Sequence, residues 1–260
     1  MDLAVQIVNF NTKAYLRPCI ESLLVALRRA GRDGRVLVLE NGSDDDLSAL
    51  ETELGPDVRV HVSNVNLGFG AGHNLLARRA RSEFLCLVNP DVVVPDDADV
   101  LGALLAPFAD PAVAATGPLL VTGDGAPQRW DHGELDGLRA RISNAAGEAY
   151  WRPREERAEV AWVSGAFVVL RREAFEAVGG FDERFFLYKE EEDLCLRLRR
   201  AGRRIVYEPA VRVRHAGGVV ARRDREHFAP SIEHYVQKNF PRRWRRRLFR
   251  VAYLGWARRG

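Results

Sequence analysis

The chain has 260 residues, 47% hydrophobic and 29% charged, with a formal net charge of +3. That balance predicts a soluble globular protein with one large core, or two small abutting lobes that share a sheet. No stretch approaches about 18 uncharged apolar residues and the opening MDLAVQIVNF lacks a basic leader region, so neither a membrane span nor export is expected and a cytoplasmic location follows.

Cys19, Cys86 and Cys195 are odd in number, far apart and set among apolar neighbours, which argues against a disulfide framework or a zinc cluster. They read as buried small hydrophobes. Charge is unevenly spread. Residues 221–260 carry twelve Arg and Lys against three acids, a balance of +9, which leaves −6 for residues 1–220.

In chain order, short apolar runs predict strands at Leu3–Asn9, Val36–Glu40, Val58–Val62, Phe84–Val88 and Val113–Leu119. Helical patterns lie between them at Tyr15–Arg29, Asp45–Leu54, Gly72–Arg81 and Ala98–Phe108. Strand and helix alternating in this way predict an α/β fold with a Rossmann-like, mostly parallel sheet flanked by helices. From Val121 to Glu159 the pattern gives way to Gly, Pro, Arg and scattered aromatics, including Trp130, His132, Tyr150 and Trp151, and reads as a long substrate-side excursion. Order returns with a strand over 161–170, a helix in RREAFEAV, the turn GGFDERFF, a helix Glu190–Arg200, a strand Arg204–Glu208 and then VRVRH.

The tail 241–259, PRRWRRRLFRVAYLGWARR, predicts a basic amphipathic helix carrying Trp, suited to an anionic membrane surface. A helix packed on the core or on a second subunit, or one that binds donor phosphate, competes with that reading. Nucleic acid is not an expected partner, since no recognition motif accompanies the charge.

Ligands of open parallel sheets bind beyond the carboxyl ends of the strands, where loops converge on a rigid frame. Here those ends are all polar: Asn9 and Asn11, Glu40 and Asn41, Asn64 and Asn66, and Asn89 with Asp91. One polar end is a turn, but four in succession point to a polar-ligand cleft. NLGFGAGHN, residues 66–74, brings Gly68, Gly70 and Asn74 to a helix start, where backbone N–H groups can meet phosphate or sugar oxygens. It is not the dinucleotide fingerprint, because its glycines fall as GxGxG after the third strand.

Asp91, fixed after Pro90 at a strand end, suits Mg²⁺ or Mn²⁺, hard cations that prefer oxygen and share coordination with a diphosphate. It also suits a turn cap. Glu190, Glu191, Glu192 and Asp193 open a helix, where acids favour the dipole. They follow Phe185, Phe186, Leu187 and Tyr188, however, and an apolar wall raises a carboxyl pKa toward values useful to a general base. His215, before Gly217 and Gly218, is a candidate second metal ligand or a structural histidine.

Taken together, VQIVNFNT (5–12), VLENGSDD (38–45), NVNLGFGAGHN (64–74), LVNPDVVV (87–94), residues 162–202 and VRHAGG (213–218) resemble the family 2 glycosyltransferases of the GT-A fold, within their rhamnosyltransferase-like branch. The resemblance implies an inverting transfer from a nucleoside-diphosphate sugar, foremost dTDP-rhamnose, to a hydroxyl of a glycan or lipid-linked acceptor. It implies that Glu40 contacts the nucleotide base, that Asn9, Asn11, Asn41, Asn66, Gly68, Gly70, Asn74 and Asn89 serve the nucleotide-sugar, and that Asp91 and His215 hold Mg²⁺ or Mn²⁺. Glu191 takes the place of the base, with Asp193 and Glu190 in reserve, and Trp162, Ser164 and Gly165 face the acceptor. Two positions depart from the family pattern: Asn89 replaces the first acid of the Asp-any-Asp motif, and Glu190-Glu191 stands where Glu-Asp is usual.

The implied organisation is a GT-A domain over 1–220, with a nucleotide-sugar half (1–120) and an acceptor half (121–220), followed by a basic helical extension over 221–260. Rival readings are a UDP- or GDP-sugar enzyme and a non-catalytic sugar-nucleotide or glycan-binding protein. A nucleotidyltransferase is disfavoured, since its basic, Gly-rich triphosphate loop is missing.

Overall fold

A computed structural model describes residues 2–140, 150–217 and 225–239. In chain order the first half gives β1 (Leu3–Asn9), α1 (Lys13–Arg29), β2 (Gly34–Asn41), α2 (Leu50–Leu54), β3 (Val58–Ser63), α3 (Phe69–Arg79), β4 (Phe84–Val88), β5 (Val92–Val93), α4 (Val100–Leu105) and β6 (Val113–Val121). The second gives β7 (His132–Gly133), β8 (Ala158–Glu159), β9 (Trp162–Val163), β10 (Phe167–Arg171), α5 (Arg172–Ala177), α6 (Glu190–Arg200), β11 (Arg204–His215) and α7 (Phe228–Asn239). One sheet runs in the order β3-β2-β1-β4-β10-β6-β11-β5, with β8 on the flank of β11, and β7 pairs with β9 apart from it.

β1, β2, β3 and β4 are parallel, as is β6 with β11, whereas β10 inserts antiparallel between β4 and β6. The mostly parallel sheet expected from the apolar runs is therefore present. Helices cover both faces. On one, α1 buries Leu16, Cys19, Ile20, Leu23, Ala26 and Leu27 at helical spacing against Val5, Ile7 and Cys86. On the other, Leu76 of α3 and Leu194 and Leu198 of α6 pack with Leu39, Leu87 and Tyr207. Cys19, Cys86 and Cys195 are free and buried, as their apolar settings predicted.

Four elements differ from expectation for local reasons. The helix expected over 45–54 is confined to Leu50–Leu54, because the Asp45 and Asp46 carboxylates bind Lys13 N and Ser48 N and hold the preceding residues in turns. α3 begins three residues earlier than expected: Phe69 N donates to Phe186 O at 2.9 Å, and Gly70 and Gly72 allow close approach to Phe181 and Val8. The apolar run 161–170 breaks at Ser164–Ala166, where Ser164 Oγ accepts from Ala166 N. Arg204–Glu208 and VRVRH form one strand, β11, whose register slips between Glu208 and Arg212 around Pro209.

The C-terminal segment is helical where it is described, and Phe185 joins Ile232, Tyr235 and Val236 of α7 in a small core of its own. Residues 218–224 and 240–260, including the whole of the tail 241–259 expected as a basic amphipathic helix, lie outside the described residues. Among the described residues no helix is long and apolar enough to cross a membrane.

Candidate active site

The carboxyl ends of the parallel strands open on a cleft of about 210 Å³. Phe10, Asn41, Asn66 and Gly68 form its first wall. Asn41 binds this wall together: its Nδ2 donates to Asn66 Oδ1 at 2.9 Å and its Oδ1 accepts from Leu67 N at 3.0 Å, while Asn66 Oδ1 also accepts from Gly68 N at 2.9 Å. Gly68 has φ +83°, and a Cβ there would fall 2.4 Å from Phe186 O. Glycine is thus required both by the backbone and by the loop lying against it.

Asn89, Asp91 and His215 line the floor. Asp91 follows buried β4, its Oδ2 accepts from Gly217 N at 3.1 Å, and its Oδ1 lies 3.3 Å from His215 Nε2. His215 closes β11 beside β5, and its Nδ1 meets Gln128 Oε1 at 2.9 Å. With the Nδ1 proton donated to Gln128, the Nε2 lone pair is turned toward the cleft floor, 3.4 Å from Asn89 Nδ2 and 3.3 Å from Asp91 Oδ1. Neighbouring ligands of an octahedral cation with bonds of about 2.1 Å sit about 3 Å apart, so this oxygen and nitrogen fit two corners of one Mg²⁺ or Mn²⁺. Among the described residues no group of three or more His, Cys, Asp or Glu could hold a metal ion, so the other corners would fall to substrate oxygens or water.

The far wall comprises Ser164, Gly165 and Ala166, the run Phe186–Tyr188, and Glu190 and Glu191. Tyr188 and Lys189 both take left-handed backbone, with φ +72° and +69°, and swing the chain into α6. The four acids of this helix then divide. Glu192 pairs with Lys189 Nζ at 2.7 Å, and buried Asp193 is bound by Arg197 Nε, Lys238 Nζ and Asn239 Nδ2 at 2.7, 2.8 and 3.0 Å. Glu190 and Glu191 line the cleft, and each has an Oε2 with no protein partner. Burial, reinforced by the Glu192 charge, pushes the Glu191 carboxyl up to about 7. Burial and then the Glu191 charge push Glu190 well above the usual range. The apolar setting outweighs the helix dipole for these two.

The structure thus gathers Asn41, Asn66, Gly68, Asn89, Asp91, Ser164, Gly165, Glu190, Glu191 and His215 around one space. Asp193 stands apart, its carboxylate spent on α7 and Arg197, which removes it as a reserve base. Asn9 is buried, accepting from Thr12 Oγ1 and donating to Asp45. Asn11 is exposed, and its Oδ1 meets Asp44 N. Glu40 accepts from both Ser43 N and Ser43 Oγ. Gly70 lies against Phe181, and Asn74 clamps Phe181 by its N–H and carbonyl. Trp162 is buried in the core over Gly133. None of these six lines the cleft.

Phe10, Phe69, Phe186 and Leu187 do line it without having been singled out as ligand contacts, and Gln128 holds His215 from outside. The aromatics carried a signal, since three of them flank the polar motifs directly. Gln128 carried none, because its partner is 87 residues away.

A family model described as glycosyltransferase like family 2 matches residues 2–245. Over 236 residues the chain is 33% identical to the N-acetylglucosaminyl-diphospho-decaprenol L-rhamnosyltransferase of Mycobacterium tuberculosis, covering 82% of this chain and 75% of that protein. It is 28% identical over 242 residues to the O-antigen biosynthesis protein RfbC of Myxococcus xanthus, a match over 88% of this chain but 18% of that protein. Among solved structures, GalNAc-T7 with UDP, GalNAc and Mn²⁺ gives a TM-score of 0.62 at 16% identity, over 83% of this chain and 44% of that one. The mannosyltransferase PcManGT of Pyrobaculum calidifontis, in complex with GDP-Man and Mn²⁺, gives 0.58 at 18% identity, over 99% and 75%. These structural likenesses bear on the fold alone. The chain belongs to the glycosyltransferase-like family 2 and adopts the GT-A fold.

Proposed function

We propose that the chain moves a hexose or deoxyhexose from a nucleoside-diphosphate sugar to a hydroxyl of a glycan, glycolipid or other cell-envelope acceptor, in one inverting displacement. The observation that carries this reading is the cleft in which Asp91 and His215 meet Glu190 and Glu191, each with a buried Oε2 that has no protein hydrogen-bond partner. Asn41, Asn66 and Gly68 bind and orient the donor. Asp91 Oδ1 and His215 Nε2 would hold Mg²⁺ or Mn²⁺, which when bound neutralises charge gathering on the departing diphosphate. Glu191 takes the proton of the incoming hydroxyl, and its raised pKa matches that task near neutral pH. Glu190 is buried beside it, and burial followed by the Glu191 charge holds its carboxyl well above the ordinary range.

The donor favoured is dTDP-rhamnose, because the Mycobacterium tuberculosis relative is named an L-rhamnosyltransferase. UDP- and GDP-sugars are the alternatives, supported by the UDP and GDP-Man in the solved neighbours. The same relative's name contains a diphospho-decaprenol acceptor, which agrees with a basic segment 241–259 resting on the inner face of a membrane.

Thermal shift against dTDP, UDP and GDP, each with Mg²⁺ or Mn²⁺, tests the donor, since a ligand that favours the native state raises its melting temperature. Incubation of the matching nucleotide-sugar with a short-chain N-acetylglucosaminyl-diphospho-prenol then tests transfer. A metal-dependent shift followed by a disaccharide product is expected. Nucleotide binding without transfer to any acceptor favours the non-catalytic reading, and no binding at all ends this one.

A further inference from the structure

Trp130 combines two features that oppose each other in ordinary packing. Its backbone is left-handed, φ +65°, a conformation that costs a bulky L-residue. Its indole is nevertheless 54% exposed, so burial of the ring does not offset that cost. Strained residues of this kind persist where the surroundings over-determine them, and they concentrate at ligand sites.

The surroundings of Trp130 are firmly fixed on both sides. Two residues before it, Gln128 clasps His215, with Nε2 donating to His215 O at 2.6 Å and Oε1 meeting Nδ1 at 2.9 Å. One residue after it, buried Asp131 accepts from Trp151 Nε1 and Tyr207 OH at 2.9 and 2.7 Å, and its carbonyl accepts from Ser164 N at 2.8 Å. His215 and Ser164 both line the cleft. Successive α-carbons lie about 3.8 Å apart, so the Trp130 backbone is held within about 8 Å of two residues that are hydrogen-bonded to the cleft wall. The turn that carries this exposed residue is therefore tied to the cleft wall on both sides, through His215 and through Ser164.

We propose that Trp130 is an acceptor-side platform on which the apolar C–H face of a pyranose ring stacks. This rests on the reading that the cleft transfers sugar to a saccharide hydroxyl. The side of the cleft supports the acceptor over the donor. Ser164 leads into Gly165, which lies in the wall that carries Glu191: an added Cβ there would sit 3.8 Å from Glu191 Cβ and 3.0 Å from the Phe69 ring. Indole supplies a large, rigid face with one polar edge, which suits a ligand that is apolar on one side and wet on the other.

The full chain labelled with 5-fluorotryptophan gives one ¹⁹F signal for each of its five tryptophans, and Trp130→Phe identifies the relevant one. The probes are methyl N-acetyl-β-glucosaminide and methyl α-rhamnoside, added with dTDP or UDP and Mg²⁺. The Trp130 signal is expected to move saturably with a saccharide. Trp130→Asn, which suits the left-handed backbone, should keep the melting temperature and the nucleotide-induced shift yet weaken saccharide binding roughly three- to tenfold. A purely structural Trp130 would instead lose stability in that variant.

If nucleotide binds and the Trp130 signal stays still for both saccharides, the platform is overturned and the transfer reading stands. If the signal moves while no nucleotide binds, the platform stands and the transfer reading fails.

Discussion

Gln128 holds His215 at two points, accepting at 2.9 Å from Nδ1 and donating at 2.6 Å to the histidine's own carbonyl. The second bond fixes the orientation of the amide, so the first fixes the tautomer that leaves the Nε2 lone pair between Asn89 Nδ2 and Asp91 Oδ1. Gln128→Leu leaves the ring free to turn. It should weaken Mg²⁺ or Mn²⁺ about 10–100-fold, as losses of such supporting bonds do, read from the metal dependence of the nucleotide-induced thermal shift. An unchanged metal midpoint would remove Gln128 from the site.

Glu191→Gln keeps the shape of the wall and removes the proposed base. Turnover should fall by about 10²–10⁴-fold with nucleotide binding intact. Normal turnover in this variant would reassign the proton acceptor.

The pH dependence follows from the same residue. A base must be ionised, so the rate should rise as pH passes through about 7 and level off above it. The stability trend is opposite. An acid whose folded pKa lies above its ordinary value of 4.5 contributes most below about pH 4.5, and that contribution is lost as pH rises through about 7. Melting temperatures of the wild-type chain and Glu191→Gln, measured from pH 4 to 8, should therefore diverge, with the variant losing less.

Asp193→Asn separates structure from chemistry on the same helix. Its carboxylate is fully buried and answers Arg197 and Lys238. Breaking that network should cost about 3–5 kcal/mol, and activity should fall only as far as the folded fraction does. A stable variant with no turnover would restore Asp193 as a candidate base.

Gly68→Ala tests the contact between α3 and the loop in front of α6. A Cβ 2.4 Å from Phe186 O, on a backbone with φ +83°, should cost about 1–3 kcal/mol and displace Phe186 from the cleft. Chemical denaturation would measure the first effect and nucleotide binding the second.

Much of this architecture could be read before any coordinates, for an identifiable reason. Phe84–Val88 and Leu3–Asn9 emerged with the expected ends because a strand buried on both faces must be apolar throughout and stop where the chain turns polar. Asp91 was legible for the same reason, as a carboxylate at such a stop. The acids of α6 were ambiguous in one dimension: Glu191 and Asp193 are two residues apart, and their environments differ because Arg197 one turn on and Lys238 and Asn239 of α7 all reach one of them. Glu40, Asn9 and Asn74 looked like ligand residues but satisfy nearby backbone and side chains, which polar strand ends also need. The run 161–170 concealed its break because its two halves are equally apolar.

The segment that forms one wall of the cleft rests on α7. Ser231 Oγ donates to Leu187 O at 2.7 Å, Phe228 meets the Tyr188 ring edge-on, and His227 and His234 lie against Phe186 and Phe185. A chain shortened at residue 220 would thus keep every strand yet leave these aromatics wet and the entrance to α6 without a brace. The strands alone therefore do not define the cleft: one of its walls keeps its shape only while this late helix leans on it.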